Sequence, residues 1–316
     1  MEVERNRGMA RPARPSGTLW RRIWRNRALY LFVLPTILYF GLFHYAPLYG
    51  LQIAFKDFKP GLGIAGSKWV GLKYIFKFID SFSFWSLLSN TLTLSLYCLA
   101  ITIPFAILLA LVINYTPVKW LRKQTQTLSY APHFVSMVVL VGMMNVFFMP
   151  SSGIVNVFLG KMGIGPIDFM GDPKLFPHVY AWSRVWSHTG YNAILYIATL
   201  TGVSPELHEA AIVDGASKLK RILHIDIPAI LPTMIIMLIL ESGNLLNVGF
   251  EKAFLMQTPG NLTTSEIIST YVYKMGLLNT QYSYAAAIGL FNNVINLIIL
   301  LIVNRVAAKT TQTSLW

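Results

Sequence analysis

The chain has 316 residues, 54% hydrophobic and 12% charged, with a mean hydropathy of +0.53. Soluble domains carry about 25% charged residues, so this composition excludes an ordinary soluble protein and defines an integral membrane one. The net charge of +13 raises nucleic-acid binding, but much of the excess is arginine ahead of the first apolar segment, where a membrane surface explains it better, and no nucleic-acid partner is expected.

Residues 1–27 hold eight arginines and too few apolar side chains to pack. They read as a flexible basic cytoplasmic tail, with Trp20, Trp24 and Tyr30 suited to the interface. The apolar run from Ala28 resembles a secretory signal superficially, yet it continues past Gly50 without a small-residue cleavage site and reads as a retained span. Because about 20 apolar residues cross a bilayer, six spans are expected, near 29–50, 84–114, 126–149, 177–201, 228–250 and 284–304. The fourth is interrupted by His178, Arg184 and His188. Lone Cys98 lies in one of these runs, which leaves no disulfide framework or cysteine-rich metal site.

The expected organisation is a tail (1–27), a transmembrane domain (28–308) containing a cytoplasmic loop (204–228), and a cytoplasmic C-terminal tail (309–316). With both termini inside, sixteen basic residues gather on the cytoplasmic side and nine in the outer loops, the orientation favoured by the positive-inside rule. The first outer loop is nevertheless lysine-rich, with Lys56, Lys59, Lys68, Lys73 and Lys77. That loop also contains Gly61-Leu62-Gly63-Ile64-Ala65-Gly66, a literal G-x-G-x-x-G. It joins no strand to a helix in a βαβ unit, and Gly66-Ser67-Lys68 inverts the lysine and serine of a phosphate loop, so turn formation suffices.

The 204–228 loop carries helix punctuation. Ser204-Pro205-Glu206 supplies a cap, a first-position proline and a carboxylate at the positive end of the dipole. Gly215 is a natural left-handed stop, after which Ser217 opens a second short helix with Lys218, Lys220 and Arg221. Leu207, Ala210, Ala211 and Asp214 share one face, the alanines allowing close backbone approach, as in a docking helix. His208-Glu209 begins H-E-x-x-H, but position 212 is isoleucine and the second zinc ligand is missing. The six histidines are scattered and no G-x-S-x-G elbow occurs, so no metal, cofactor or catalytic residue is expected in this chain.

Glu241 falls mid-span, where a carboxylate costs about 3 kcal/mol to insert, so it should face protein or water. Asn244 and Asn247 follow at i+3 and i+6, broadly one side of a helix. Glu251 lies near the outer end of that segment, Asn292, Asn293 and Asn296 form a patch in the last span, and Arg184 offers a countercharge. For Glu241, Asn244, Asn247, Glu251 and Asn293, lining a transport path and bonding helices together fit equally well.

Glu209-Ala210-Ala211, three residues, Gly215, nine residues, Ile225-Asp226-Ile227-Pro228 resembles the EAA loop of permease subunits of binding-protein-dependent ABC importers. The surrounding residues and Ser314 to Trp316 are most similar to the carbohydrate-importing MalF/LplB type, from about Asn26 onward. Ile227 replaces the usual leucine, a conservative departure. The resemblance implies an all-α bundle of six transmembrane helices of the type I importer permease class, in the bacterial cytoplasmic membrane. It further implies a coupling helix between spans four and five that sits in a cleft of an ATPase through Glu209, Ala210, Ala211, Asp214, Gly215, Ile225 and Pro228. Implied partners are a second, MalG-like permease, two ATPase subunits holding ATP and Mg, and an extracellular solute-binding protein. The implied cargo is an oligosaccharide, with plant or algal polysaccharide fragments, some acidic, among the nearest relatives' substrates. The rivals are a secondary transporter, which should show inverted repeats and need no ATPase, and a membrane-embedded enzyme, which should offer a nucleophile, metal triad or paired acid and base. No clear internal repeat is visible.

Overall fold

The computed structural model describes Trp24, residues 26–311 and residues 313–315. Most of the arginine tail, including Trp20, lies outside the described residues. The described residues up to Gln52 form one unit and those from Ile53 another.

In the first unit, helix α1 (Arg27–Phe40) runs into a π turn (Gly41–Tyr45) and a 3-10 stretch that begins at Ala46. No residue of α1 is buried. Its apolar side chains therefore need lipid or another chain around them.

The second unit starts with the loop expected on the outer side. Strands β1 (Lys56–Asp57) and β2 (Lys68–Trp69) pair antiparallel, a small ladder added to the expected all-helical architecture. The glycine-rich run between them forms a 3-10 turn and one helical turn, with Gly63 at φ +65°. Ser67 Oγ accepts from the Lys59 amide at 3.1 Å and donates to the Gly63 carbonyl at 2.6 Å. The run thus makes a turn and no nucleotide loop. Helix α2 (Lys73–Ile79) closes the loop, its Tyr74 Oη donating to Asp57 Oδ1 at 2.7 Å.

Helix α3 (Phe84–Tyr115) is a single apolar rod of 32 residues. The third expected span is not straight: α4 (Lys119–Tyr130), a 3-10 turn (Ala131–Phe134) and α5 (Met137–Phe147) bend by 99°. Pro132 removes a ladder donor, and Ser136, extended at ψ 150°, restarts the helix by accepting from Val139 N. After α6 (Ile154–Lys161) comes α7 (Phe176–Thr201). Gly190 of α7 meets the carbonyl of Ser129, where an added Cβ would lie only 2.0 Å from the oxygen. A glycine is required there for α4 and α7 to touch.

Helix α8 (Pro205–Val213) precedes a turn (Lys218–Arg221) and a π turn (Ile222–Asp226) that lead directly into α9 (Ile227–Ser242). The expected second short helix is thus the first turns of one 25-residue run, Lys218–Ser242. Helices α10 (Phe250–Met256), α11 (Ile268–Tyr273) and α12 (Tyr282–Thr311) complete the chain. Helix α12 enters the expected C-terminal tail, and Leu315 N then donates to Asn304 Oδ1 at 2.9 Å.

Among the described residues, four helical runs are long and apolar enough to cross a membrane, or five with the bent pair. Helix α7 is long enough but too polar to qualify. The expected six requires both α7 and the bent pair to span. Helices α3, α7 and α9 pack through Ala106, Ala110, Ala193, Tyr196 and Ile230, all essentially buried. The alanines matter because helices in lipid associate by close packing, with little hydrophobic drive. Around Phe176, Tyr180, Met256 and Ile267 a second cluster joins α7 to α10 and the segment before α11. A third, of Phe78, Phe84, Leu87, Ile268, Tyr284 and Ile288, ties the outer loop to α3, α11 and α12.

Candidate functional site

Helices α3, α7 and α9 enclose a cavity with about 90 Å³ of room for water. Ser95, Cys98 and Thr102 face it from α3, Arg184, Asn192 and Tyr196 from α7, and Met237 and Glu241 from α9. Arg184 Nη2 donates to Glu241 Oε2 at 3.5 Å, their side chains 28% and 37% exposed. The countercharge expected in the fourth span is therefore the partner of Glu241. The pair keeps a residual opening to the cavity, which reduces the cost of holding both charges within apolar helices.

Asn244 and Asn247 also line the cavity, but not along a helical track. Helix α9 stops at Ser242 with Gly243 as its cap, and residues 244–247 fold as tight turns. Asn296 Oδ1 accepts from Leu246 N at 2.9 Å, and Asn292 Nδ2 donates to Asn247 Oδ1 at 2.7 Å. Ser95 Oγ donates to the Leu245 carbonyl. The polar patch of the last span thus secures the turn that presents Asn244 and Asn247. Glu251 and Asn293 are exposed and do not line the cavity. Beyond the turn, Lys252 is buried in α10, donating to the Tyr180 carbonyl at 2.8 Å with its ammonium 4.4 Å from the Tyr180 ring centre.

The segment that resembles an EAA loop lies apart from the cavity lining. Helix α8 starts at Pro205 with Glu206 in its first turn, but the Ser204 side chain makes no cap hydrogen bond. At the other end Gly215 has φ +74°, with Gly215 N on Ile212 O at 3.0 Å and Ala216 N on Ala211 O at 2.8 Å. This double closure is a Schellman motif, which needs a residue free to turn left-handed. Glu209, Ala210, Asp214 and Gly215 are exposed and Ala211 is half-buried. Leu207, Ile212 and Val213 are exposed at 56%, 55% and 87%, an apolar surface suited to a partner. Ile225 is half-buried in the π turn, and Pro228 sits where that turn passes into α9, its missing amide removing one donor from the ladder at the junction.

Ser95, Thr102, Asn192 and Tyr196 went unnoticed as site residues, although a signal exists. Ser95, Cys98 and Thr102 recur at helical spacing in α3, as do Arg184, Asn192 and Tyr196 in α7.

A helical bundle with an internal cavity that holds an ion pair, and an exposed helix joined by a short connection to one cavity wall, fits a transport permease. Residues 102–312 match the family described as binding-protein-dependent transport system inner membrane component, and the chain belongs to that family. It is 39% identical to the polygalacturonan/rhamnogalacturonan transport system permease protein YteP of Bacillus subtilis (strain 168), covering 93% of this chain and 92% of the relative. It is also 39% identical to protein LplB of the same organism, covering 92% of each chain. A chain of a bacterial alginate ABC transporter, solved in complex with an alginate pentasaccharide-bound periplasmic protein, superposes with a TM-score of 0.86 at 38% identity. That match covers 94% of this chain and 99% of the other. The ABC importer reading stands and the secondary transporter is set aside.

Proposed function

We propose that this permease imports acidic oligosaccharides, fragments of uronate-rich polysaccharides, through the α3, α7 and α9 cavity. Arg184 takes part in recognising the cargo carboxylates. The relatives named for polygalacturonan and alginate support this cargo class, as does an arginine held by a single 3.5 Å contact that a carboxylate can replace with a bidentate one. Glu241, Asn244 and Asn247 supply the remaining polar surface.

The chain acts with a second, MalG-like permease, two ATPase subunits that hold ATP and Mg, and an extracellular solute-binding protein. It hydrolyses no ATP itself. Both termini face the cytoplasm, so α8 lies on the ATPase side. The observation that carries the coupling role is the exposed, Schellman-closed α8 joined by a short connection to the helical run that bears Glu241. An ATPase that moves α8 therefore moves a cavity wall, a two-state change of access.

The test is ATP hydrolysis by the reconstituted complex with binding protein and a panel of oligogalacturonate, alginate and neutral malto-oligosaccharides. Stimulation confined to the uronates supports the cargo; equal or greater stimulation by neutral sugars contradicts it.

A further inference from the structure

We infer that Asp226, Tyr115 and His208 form a buried latch that carries movement of α8 into α3 and α9, an inference resting on the reading of α8 as the ATPase-docking helix. Asp226 has no exposed surface, although it ends the π turn between a basic helical turn and α9. Its Oδ2 accepts from Tyr115 Oη at 2.6 Å, while its Oδ1, buried without a hydrogen-bond partner, has His208 Nε2 at 3.4 Å as the cation-forming group beside it. Tyr115 is the last residue of α3 and His208 belongs to α8. Three helices therefore converge on one carboxylate at the base of the cavity-forming bundle.

A carboxylate stripped of water is costly unless paired, so arrangements that keep both partners close are favoured over any in which one withdraws. That property suits a latch. Helix α8 has no buried residue, so little apolar packing holds it to the bundle. Among the described residues, the polar and ring contacts between α8 side chains and the bundle are those of His208: the 3.4 Å approach to Asp226, ionic only when the imidazole is protonated, and an edge-on contact with the Tyr115 ring, centroids 6.4 Å apart. Displacement of α8 must either draw Asp226 and Tyr115 with it or strand the carboxylate. Arg221 adds positive charge nearby, its guanidinium 5.8 Å from the Tyr115 ring centre and its Nε buried without a hydrogen-bond partner. The π turn contributes the register, since its extra residue per turn shifts Asp226 relative to the α-helical run that follows. These are positioning residues, acting on cargo only through the helices they join.

The test uses the assembled complex of permease pair, ATPase and binding protein in proteoliposomes, with ATP hydrolysis and oligogalacturonate uptake measured in the same vesicles. Y115F removes one hydroxyl, H208Q the imidazole and D226N the charge. Each variant should retain the ATPase at wild-type yield, while sugar moved per ATP falls on the order of tenfold, the size of ordinary couplings between sites. The H208Q/D226N double variant should fall no further than the worse single one, because both act through one contact. Ratios within about twofold of wild type, below the range of ordinary couplings between sites, overturn the latch, as do losses that multiply in the double variant or that follow loss of the ATPase. Gly215→Val separates the two readings. If it leaves ATPase binding intact, the docking reading itself fails; if it releases the ATPase while the latch variants transport normally, the latch alone fails.

Discussion

Arg184 lies 3.5 Å from Glu241, joining α7 to the final turn of α9 across the cavity. Both side chains keep contact with the cavity, so the pair contributes only about 1 kcal/mol to stability. Its larger consequence is chemical: the guanidinium retains donors that a second carboxylate can engage.

Arg184→Gln should raise the KM for oligogalacturonate by about tenfold, the loss of one charge-assisted hydrogen bond. Uptake of the methyl-esterified oligosaccharide should change little. Glu241→Gln frees the guanidinium, so it should lower KM for the acid and slow its release, reducing kcat. Uptake kinetics on the acid and ester pair check both signs.

Gly215 has φ +74° with no atom within 4 Å of where a Cβ would stand, so substitution there tests backbone conformation with no steric clash. A left-handed non-glycine residue costs about 1–2 kcal/mol. Gly215→Val should melt the end of α8 and release most of the ATPase in co-purification. Gly215→Asn should be nearly neutral, because asparagine enters this region more readily. Gly215→Asp should fall between, its tolerated backbone offset by a second carboxylate beside Asp214.

The fold was legible where one residue type decided the outcome. Pro205, Glu206 and Gly215 bound α8 as their chemistry demands, and the glycines of residues 61–66 made a turn. It was less legible where tertiary contacts overrode pattern. The Glu241, Asn244 and Asn247 spacing reads as a helix, yet α9 ends at Ser242 because Asn292 and Asn296, distant in sequence, capture the backbone and side chain of the turn. Ser204 has the residue type of a cap without its hydrogen bond. The partners of Asp226 lie 111 and 18 positions away, at Tyr115 and His208, and no local period relates them.

Asn296→Ala removes the acceptor of the buried Leu246 amide, and Asn292→Ala a donor to Asn247. Leaving a buried backbone donor unsatisfied costs about 1–3 kcal/mol. Asn296→Ala should therefore lower the thermal midpoint of the detergent-solubilised permease more than Asn293→Ala, whose site is exposed.

In the loop that carries β1 and β2, the hydrogen bond from Tyr74 holds the Asp57 carboxyl below its usual range, against an opposing effect of burial and with nearby lysines lowering it further. Burial, then the Asp57 bond, pushes the Tyr74 phenol up to about 12. The depressed Asp57 contributes stability above its unfolded value of 3.8, lost as pH falls through the folded value. The raised Tyr74 contributes stability below 10.0, lost as pH rises through about 12. Amide protection across residues 56–70, taken relative to the intrinsic exchange rate at each pH, should be greatest between those limits, and Tyr74→Phe should remove the alkaline dependence and weaken the acid one, because the lysines still act on Asp57.

We propose that ATP hydrolysis acts on this chain through α8. This is tested most directly by oligogalacturonate-dependent ATP hydrolysis of the reconstituted complex carrying wild-type, Gly215→Asn or Gly215→Val permease. The account predicts stimulation by loaded binding protein for the first two and none for the third, with the ATPase lost from the complex. A Gly215→Val complex that keeps its ATPase and responds like wild type would contradict it.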